Sequence, residues 1–337
     1  MTTVGQVYCT VFDRNYLYQG VALYKSLSRF SAGFKLYCLT LDDESSAALR
    51  TLKLPGLFVV ALGDLDSGAV NEIRPKVNYS QFCWSMQPLV CEYVLNLGEP
   101  SVTYLEADSW FYSDPQPIFD QLKQASASLA PHFFSPQFSS ASKGSGRYCT
   151  HFNYFKNSED GRACLSFWRE KNFEYRKEMP TSYPGQSGLD EMAVRFGGVV
   201  EIANRGAGVA PWNVQQYRVI RDEDLVLIDD IPVIFYHYHQ LARYSDGTFW
   251  LGEYPFSRSV VDLLYIPYIK EVLEFEAMVR SKVPGFNFKR ETAPPPKLLE
   301  SVMKLNRVGV KAAFHKLVRK LKGESHIIDP RAWGGLR

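Results

Sequence analysis

The segment VTYLEADSWFYSDP, Val102–Pro115, carries the pattern on which the interpretation of the whole chain depends. It begins with an apolar run up to Leu105 that is typical of a buried strand. Glu106 and Asp108 follow at once, and aromatic residues come directly after them. Burying two carboxylates is costly unless a cation neutralises them. The segment therefore predicts a strand whose end faces a cation.

Short β-rich runs and longer runs with helical spacing alternate on both sides of this strand. The predicted strands are Val7–Val11, Phe34–Thr40, Leu57–Leu62, Ser101–Leu105, Ser126–Ala130, Arg147–Phe155, Val199–Ala203 and Val233–His239. The predicted helices are Tyr16–Phe30, Asp42–Leu52, Tyr79–Leu97, Asp160–Tyr175, Leu189–Phe196 and Ser257–Val283. We expect an α/β fold with a Rossmann-like, mainly parallel sheet covered by helices on both faces, plus a C-terminal helical extension. Ligands bind to such sheets beyond the carboxyl ends of the strands, where Glu106 and Asp108 lie.

The composition is that of a globular protein. Of the 337 residues, 46% are apolar and 22% are charged, which is enough to bury a sizeable core. The net charge of +2 gives no support to a nucleic-acid partner. The six cysteines form no CxxC pair, which argues against a zinc ribbon. Because there is no signal-peptide pattern and no run of about 18 apolar residues, we expect a cytoplasmic protein.

The sequence predicts three parts. Residues 1–256 form the main domain, residues 257–290 a helical segment packed on it, and residues 291–337 a tail that opens with the proline-rich linker ETAPPP. Within this tail, Lys297–Lys322 has eight basic residues against one Glu, and apolar residues recur at helical spacing. Two interpretations remain open. This basic amphipathic helix contacts a membrane surface, or it packs back on the domain with a solvated basic face.

The two carboxylates suggest a metal site. Residues two apart in a strand point to the same face, so Glu106 and Asp108 can converge on one ion. Oxygen ligands suit Mg²⁺ or Mn²⁺, and such an ion can neutralise the charge of a departing nucleotide. The run VIFYHYHQL places His237 and His239 two apart, which makes His237 a candidate third ligand. The alternative is a solvated carboxylate pair and ordinary hydrogen-bonded core histidines.

Several segments, in order along the chain, resemble nucleotide-sugar glycosyltransferases of the GT-A fold. TYLEADSWFYSDPQPIF (103–119) resembles the metal-binding DxD segment of that family, and YCTVFDRNYLYQGVALYKSL (8–27) resembles its first strand and helix. IRPKVNYSQFCWSMQPLV (73–90) resembles the segment ahead of the DxD strand. GAGVAPWNVQQY (206–217) and FYHYHQL (235–241) resemble bacterial relatives near glycosyltransferase family 8. The resemblance covers about residues 5–250.

The resemblance implies roles for individual residues. The implied metal ligands are Glu106, Asp108 and His237, with His239 as the alternative to His237. The implied donor and acceptor contacts are Thr10, Asp13 and Tyr16 for the base or ribose, Arg74 and Lys76 for phosphate, and Trp212 and Asn213 for the sugar or acceptor. An Asp-Gln pair near the sugar in these relatives matches Asp190 and Glu191, with Gln186 as the weaker match. Two departures matter, since Glu106 stands for the usual Asp and Glu191 for the usual Gln. A charged first helical turn is the alternative explanation for Asp190 and Glu191.

The expected function is metal-dependent transfer of a sugar, with Mn²⁺ or Mg²⁺, from a nucleotide-sugar donor to a glycan or glycolipid hydroxyl. A UDP-sugar is the favoured donor, retention of configuration is the default that family 8 implies, and the expected pathway is bacterial surface polysaccharide or lipopolysaccharide assembly. The tail at 297–322 would then allow peripheral contact with the inner face of the cell membrane. Two alternatives remain, a catalytically degenerate binding domain and a nucleotidyltransferase. A dehydrogenase is not favoured, because no GxGxxG follows the first strand.

Overall fold

The computed structural model describes residues 5–178, 184–286, 288 and 327–333. Its strands are β1 (Val7–Phe12), β2 (Lys35–Thr40), β3 (Leu57–Ala61), β4 (Ser101–Leu105), β5 (Ser109–Phe111), β6 (Ala127–Pro131), β7 (Tyr148–Cys149), β8 (Phe152–Lys156), β9 (Val199–Glu201), β10 (Ala207–Val209), β11 (Val219–Asp222), β12 (Leu225–Ile228), β13 (Ile231–Pro232), β14 (Phe235–His237), β15 (Ala242–Arg243), β16 (Phe249–Trp250) and β17 (Ile327–Ile328). Its α-helices are α1 (Leu17–Phe30), α2 (Asp43–Leu52), α3 (Ser67–Ile73), α4 (Tyr79–Asn96), α5 (Gln116–Gln121), α6 (Ser142–Ser145), α7 (Glu159–Glu178), α8 (Pro184–Arg195), α9 (Arg258–Val260) and α10 (Ile266–Lys282).

Eight of these strands form a central sheet in the order β3-β2-β1-β4-β8-β6-β7, with β9 paired beside β6. The half built from β3, β2, β1 and β4 is entirely parallel, whereas β8 runs antiparallel to both β4 and β6. The predicted α/β fold with a mainly parallel sheet and helices is therefore confirmed. A second, three-stranded sheet has the order β10-β14-β5 and carries residues of the candidate site.

Alternation along β1 explains why helices cover both faces of the sheet. Tyr8 and Phe12 pack into one apolar cluster together with α1, while Cys9 and Val11 pack into the other together with α4. Successive side chains of a strand point to opposite faces, so a strand that is apolar throughout requires a partner layer on each side. All six residues of β1 are buried.

The structure differs from the sequence-based prediction at the segment after β4. Glu106 and Asp108 lie in a turn between β4 and β5, and not on a continued strand. In that turn the backbone N–H of Ser109 donates to the carbonyl of Glu106 at 3.1 Å. The strand-period argument for their convergence was therefore wrong in its mechanism, because a tight turn determines where the two carboxylates lie.

Two other predicted strands are shorter than expected. Val233–His239 contains only the three-residue β14, which belongs to the second sheet. Arg147–Phe155 is divided into β7 and β8 by a turn at Thr150 and His151. In both segments, polar side chains near the strand ends line the cleft described below, and the regular strand stops beside them.

The C-terminal part begins with helices, as predicted, and most of the residues after them lie outside the described ranges. From Arg258 a short α-helix, a π-helical turn at Val261–Tyr265 and α10 follow one another without a break. Arg29 of α1 forms an ion pair with Glu271 of α10. The predicted basic helix Lys297–Lys322 lies outside the described residues, so the three-part division stays a prediction. No helix in the described ranges has both the length and the apolar character needed to cross a membrane.

Candidate functional site

A cleft of about 540 Å³ opens beyond the carboxyl ends of β1 and β4. Asp13 follows β1 and Glu106 and Asp108 follow β4, and all three line the cleft. Trp212 and His237 line the same cleft. Parallel strands that end at one edge of a sheet bring such loops together, and this edge is where ligands of α/β proteins bind.

Asp108 and His237 meet through the pairing of β5 with β14. His237 lies opposite Ser109 in that antiparallel ladder, and the backbone N–H of Tyr238 donates to the carbonyl of Asp108 at 2.8 Å. As a result, Nε2 of His237 lies 3.1 Å from Oδ1 of Asp108, with 8% and 15% of the two side chains exposed.

The two side chains shift each other's pKa. Burial alone would raise the pKa of Asp108, but the charge and hydrogen bond of His237 lower it below its usual value. Burial alone would lower the pKa of His237, but Asp108 raises it well above its usual range. His239 lines the same cleft, where burial and the charge of His237 lower its pKa to about 4. Without a bound cation, Asp108 and His237 therefore form a buried ion pair.

Glu106 is held by three hydrogen bonds. Gln87 Nε2 and Thr150 Oγ1 each donate to its Oε1 at 2.9 Å, and the hydroxyl of Tyr104 donates to its Oε2 at 3.1 Å. Burial and the neighbouring charge of Asp108 raise the pKa of Glu106 to about 7. These contacts fix the orientation of the carboxylate beside Asp108.

The residues present fit a hard divalent cation. Two ligands at right angles, each about 2.1 Å from Mg²⁺, are about 3 Å apart. Oδ1 of Asp108 and Nε2 of His237 are separated by 3.1 Å, so both can bind one ion with little movement. Glu106 adds a second carboxylate, whose pKa depends on its burial and on the charges of Asp108 and His237. Their assignment as ligands stays a prediction.

Sequence reasoning missed a cluster of Cys149, His151 and His132. Burial alone would raise the pKa of the Cys149 thiol, but the charges and hydrogen bonds of His151 and His132 lower it well below its usual range. Burial lowers the pKa of His151. The available signal was CTH, in which a cysteine and a histidine stand two apart in a predicted strand.

The residues expected at the nucleoside lie in two layers. Asp13 and Tyr16 line the cleft, and Asp13 accepts a hydrogen bond of 2.8 Å from the hydroxyl of Tyr79, which sequence reasoning did not include. Asn15 also donates to Asp13, at 2.7 Å. Thr10 is fully buried behind this lining, and its hydroxyl has no hydrogen-bond partner within the described part of the chain.

Of the four residues expected at the phosphate and the sugar, only Trp212 is among those that line the cleft. The guanidinium of Arg74 lies over the ring of Phe82 at 5.0 Å, and Lys76 forms an ion pair with Glu72. Asn213 is buried, and its amide donates to the carbonyls of His132 and Gly208. Trp212 thus forms part of the wall, and Asn213 holds the loop behind it.

Asp190 and Glu191, which match the Asp-Gln pair of the resemblance, are not among the residues that line the cleft. Asp190 accepts hydrogen bonds from the backbone N–H groups of Arg147 and Tyr148, and Glu191 forms an ion pair with Lys171. Among the described residues of α8, the cleft is lined by Gln186. Gln186 is the weaker match by sequence, but its place in the lining favours it over Asp190 and Glu191 as the residue that meets a ligand.

Comparison by sequence finds two proteins of Bacillus subtilis (strain 168). The chain is 33% identical to the uncharacterized protein YfnF over 242 residues, which is 68% of this chain and 80% of YfnF. It is 25% identical to the uncharacterized protein YfnD over 287 residues, which is 83% of this chain and 92% of YfnD. No protein-family model matches the chain.

Comparison by structure finds glycosyltransferases. The galactosyltransferase LgtC, solved in complex with donor and acceptor sugar analogs, has a TM-score of 0.56 at 14% identity, covering 82% of this chain and 100% of LgtC. The glycosyltransferase GlyE of Streptococcus pneumoniae TIGR4 has a TM-score of 0.50 at 15% identity, covering 82% of this chain and 63% of GlyE. The chain therefore has a GT-A-like glycosyltransferase fold, as the resemblance predicted.

Proposed function

This chain belongs to the same protein family as YfnF of Bacillus subtilis. From its fold and its cleft we propose that it is a metal-dependent glycosyltransferase. It would move a sugar from a nucleoside diphosphate donor to a hydroxyl group of an acceptor. Fold alone does not specify an activity, so the proposal depends on the site.

The observation that carries the proposal is the Asp108–His237 pair, with Glu106 beside it, at the carboxyl-end edge of the sheet. Two carboxylates and an imidazole at this position suit Mn²⁺ or Mg²⁺ and the diphosphate that such ions bind. A bound ion of this kind would supply positive charge to the leaving nucleoside diphosphate.

The protein's own side chains would position the donor. We assign Asp13 and Tyr16 to the nucleoside end and Trp212 to the sugar or acceptor end, because all three line the cleft. Gln186 also lines the cleft and is assigned to the sugar. Thr10 and Asn213 would support these residues from behind. Arg74 and Lys76 are not among the residues that line the cleft, so the structure gives no support to their proposed phosphate contacts.

The finer assignments depend on the resemblance. UDP-sugar is the proposed donor, and retention of configuration follows if the chain shares the chemistry of glycosyltransferase family 8. The proposed acceptor is a glycan or glycolipid of bacterial surface polysaccharide or lipopolysaccharide assembly. Contact of segment 297–322 with the inner membrane surface, as a peripheral cytoplasmic protein, belongs to the same proposal.

Thermal-shift titration of the full chain tests the donor site. UDP, GDP, CDP and ADP are each added with and without Mn²⁺, to the wild type, to Asp108→Ala and to Asp230→Ala. Asp230 is the matched control, since 95% of its side chain is exposed. A ligand that binds the native state raises the melting temperature. We expect one nucleotide to act only with Mn²⁺, and only Asp108→Ala to abolish the shift. A nucleotide effect that Asp108→Ala leaves intact would contradict the proposal.

A sugar-nucleotide-binding protein without transfer activity is the second candidate. It is favoured by the position of Asp190 and Glu191, whose carboxylates are engaged outside the lining of the cleft. Incubation with UDP-sugars distinguishes the two, because a transferase releases UDP and a binding protein does not. A nucleotidyltransferase would instead release diphosphate when it is incubated with UTP and a sugar 1-phosphate.

A further inference from the structure

A thiol and two imidazoles form a second cluster of metal-ligand atoms next to the carboxylates. Cys149, His151 and His237 are all buried, and one ligand atom from each lies within 4.8 Å of the other two. Nδ1 of His237 lies 3.4 Å from Nδ1 of His151, while Nε2 of the same ring faces Asp108. The imidazole of His237 therefore has one nitrogen toward the hard carboxylates and one toward the soft cluster.

The separation of the two imidazole nitrogens fits a tetrahedral ion. Two nitrogen ligands about 2.0–2.1 Å from Zn²⁺ in tetrahedral geometry are about 3.3 Å apart. The observed 3.4 Å is close to that value. A thiolate about 2.3 Å from the same ion would lie about 3.6 Å from each nitrogen. The sulfur of Cys149 lies within 4.8 Å of the ligand atoms of His151 and His237.

Ordinary core packing does not explain His151. The ring is fully buried, and its Nε2 has no hydrogen-bond partner within the described ranges of the chain. Buried polar atoms normally have such partners, because an unpaired one costs about 1–3 kcal/mol. Within the described residues the ring contacts the other two members of the cluster, with 3.4 Å between its Nδ1 and Nδ1 of His237 and a hydrogen bond with the thiol of Cys149. The role proposed for Asp108 and Glu106 also makes no use of His151 or Cys149.

The local backbone separates the two clusters. Thr150, between Cys149 and His151, donates its hydroxyl to Glu106, whereas the side chains on either side of it belong to the soft cluster. Cys149 and His237 line the cleft, so an ion bound here would keep a coordination position toward it. Three protein ligands with one open position are the pattern of a zinc site that a ligand can enter.

We propose that Cys149, His151 and His237 bind Zn²⁺, or another soft divalent metal, at a site distinct from the carboxylate site and sharing only the ring of His237 with it. Sulfur and imidazole ligands select such metals over Mg²⁺ and Mn²⁺. This metal site is additional to the proposed sugar transfer, and the inference does not depend on that activity.

Cobalt titration tests this site directly. The full chain is treated with chelator, kept in a thiol-free reductant without oxygen, and titrated with Co²⁺ in the absence of nucleotide. We expect one equivalent to produce a sulfur-to-cobalt charge-transfer band, which Zn²⁺ then removes. Cys149→Ser should lose the band. Cys83→Ser should keep it, since Cys83 also lines the cleft but has Asp13 and Tyr79 as neighbours. Absence of the band in the wild type, or its persistence in Cys149→Ser, would overturn the proposal.

Two further measurements separate this result from misfolding and from the carboxylate site. X-ray absorption of the wild-type zinc protein should show one sulfur at about 2.3 Å with nitrogen at about 2.0–2.1 Å, and a shell of nitrogen and oxygen alone would contradict the site. Asp108→Ala should keep the cobalt band, because Asp108 is outside the cluster. Failure of the nucleotide titration would therefore leave this inference standing, and failure here would leave the nucleotide result standing.

Discussion

His237 Nε2 lies 3.1 Å from Asp108 Oδ1, and the two side chains are 8% and 15% exposed. Removing one member of a buried ion pair leaves the other charge without compensation, which typically costs about 3–5 kcal/mol. We expect His237→Gln to lower the free energy of unfolding by about 3 kcal/mol in the presence of chelator, measured by urea denaturation.

The double variant Asp108→Asn with His237→Gln should recover part of that loss, because neither partner is then left charged. Asp230→Asn, at an exposed pair with Arg218, should change the stability by less than about 0.5 kcal/mol. A loss in the double variant equal to the sum of the losses in Asp108→Asn and His237→Gln alone would show that the pair is not coupled.

Gly208 holds the backbone against the ring of His151. Its φ is +93°, and a Cβ there would lie 2.5 Å from Nε2 of that buried ring. Gly247 has a φ of +90° with open space around the Cβ position as far as the described residues show. Gly247→Ala should therefore cost about 1–2 kcal/mol for the backbone conformation alone. Gly208→Ala should cost about 1–3 kcal/mol more, because it also overpacks the ring.

Thermal unfolding of the two variants side by side measures this difference. Gly208→Ala should also weaken Co²⁺ binding by the full chain, whereas Gly247→Ala should not. Equal destabilisation by the two substitutions would mean that the ring of His151 moves away from the added methyl group at no cost in free energy. Its position would then not be fixed.

Gln186 and Glu191 belong to one helix but lie in different surroundings. Gln186 lines the cleft, and Glu191 forms an ion pair with Lys171 while 43% of its side chain is exposed. We expect Gln186→Ala to lower kcat for release of UDP from the donor by about 10²-fold, as for loss of a polar contact made in the transition state. Glu191→Gln, which restores the amide of the resemblance, should leave kcat unchanged. The reverse result would support the sequence-based assignment of Asp190 and Glu191 to catalysis.

The carboxyl group of Glu99 makes the free energy of unfolding depend on pH in the acid range. Partial burial alone would raise its pKa, but hydrogen bonds from Lys35 and Tyr37, both 2.6 Å, lower it below its usual value. A carboxyl group with a lowered folded-state pKa stabilises the fold above its unfolded pKa of about 4.3 and loses that contribution as the pH falls through the folded value. We expect the free energy of unfolding of the wild type to exceed that of Glu99→Gln by about 1 kcal/mol at pH 7. The difference should shrink as the pH falls below about 4.3 and disappear once the pH is below the lowered folded-state pKa of Glu99.

Urea denaturation of both proteins between pH 3 and pH 8 tests this. Asp120→Asn is a suitable comparison, since its pKa is also lowered but by exposed partners, Lys123 and Gln116. A difference for Glu99→Gln that is constant across the range would show that the substitution acts through packing and not through charge.

Local patterns in the sequence were sufficient for the fold but only partly sufficient for the site. The β1–α1 unit and strand β4 follow from apolar period and turn residues, and the carboxylates after β4 stand out against their apolar neighbours. The approach of His237 to Asp108 depends on the pairing of β5 with β14, which joins distant parts of the chain. No local pattern encodes that register.

The remaining differences between the sequence-based predictions and the structure also arise from tertiary contacts. Asp190 lies within α8 and not in its first turn, and its carboxylate accepts hydrogen bonds from the backbone N–H groups of Arg147 and Tyr148. Cys149 and His151 stand out only after the backbone turns at Thr150, because a cysteine within an apolar run otherwise behaves as a small hydrophobic residue. The positions of such groups follow from packing between elements, which the order of residue types does not reveal.

The pairing of β5 with β14 also determines when the cleft can form during synthesis of the protein. His237 leaves the ribosome 129 positions after Asp108, which at about 5–20 residues per second is a delay of roughly 6–26 s. During that interval the nascent chain has the carboxylates of Glu106 and Asp108 but lacks the strand that will face them. The cleft can therefore close only late in translation, and an interruption of synthesis before β14 would release a sheet whose ligand-binding edge is incomplete.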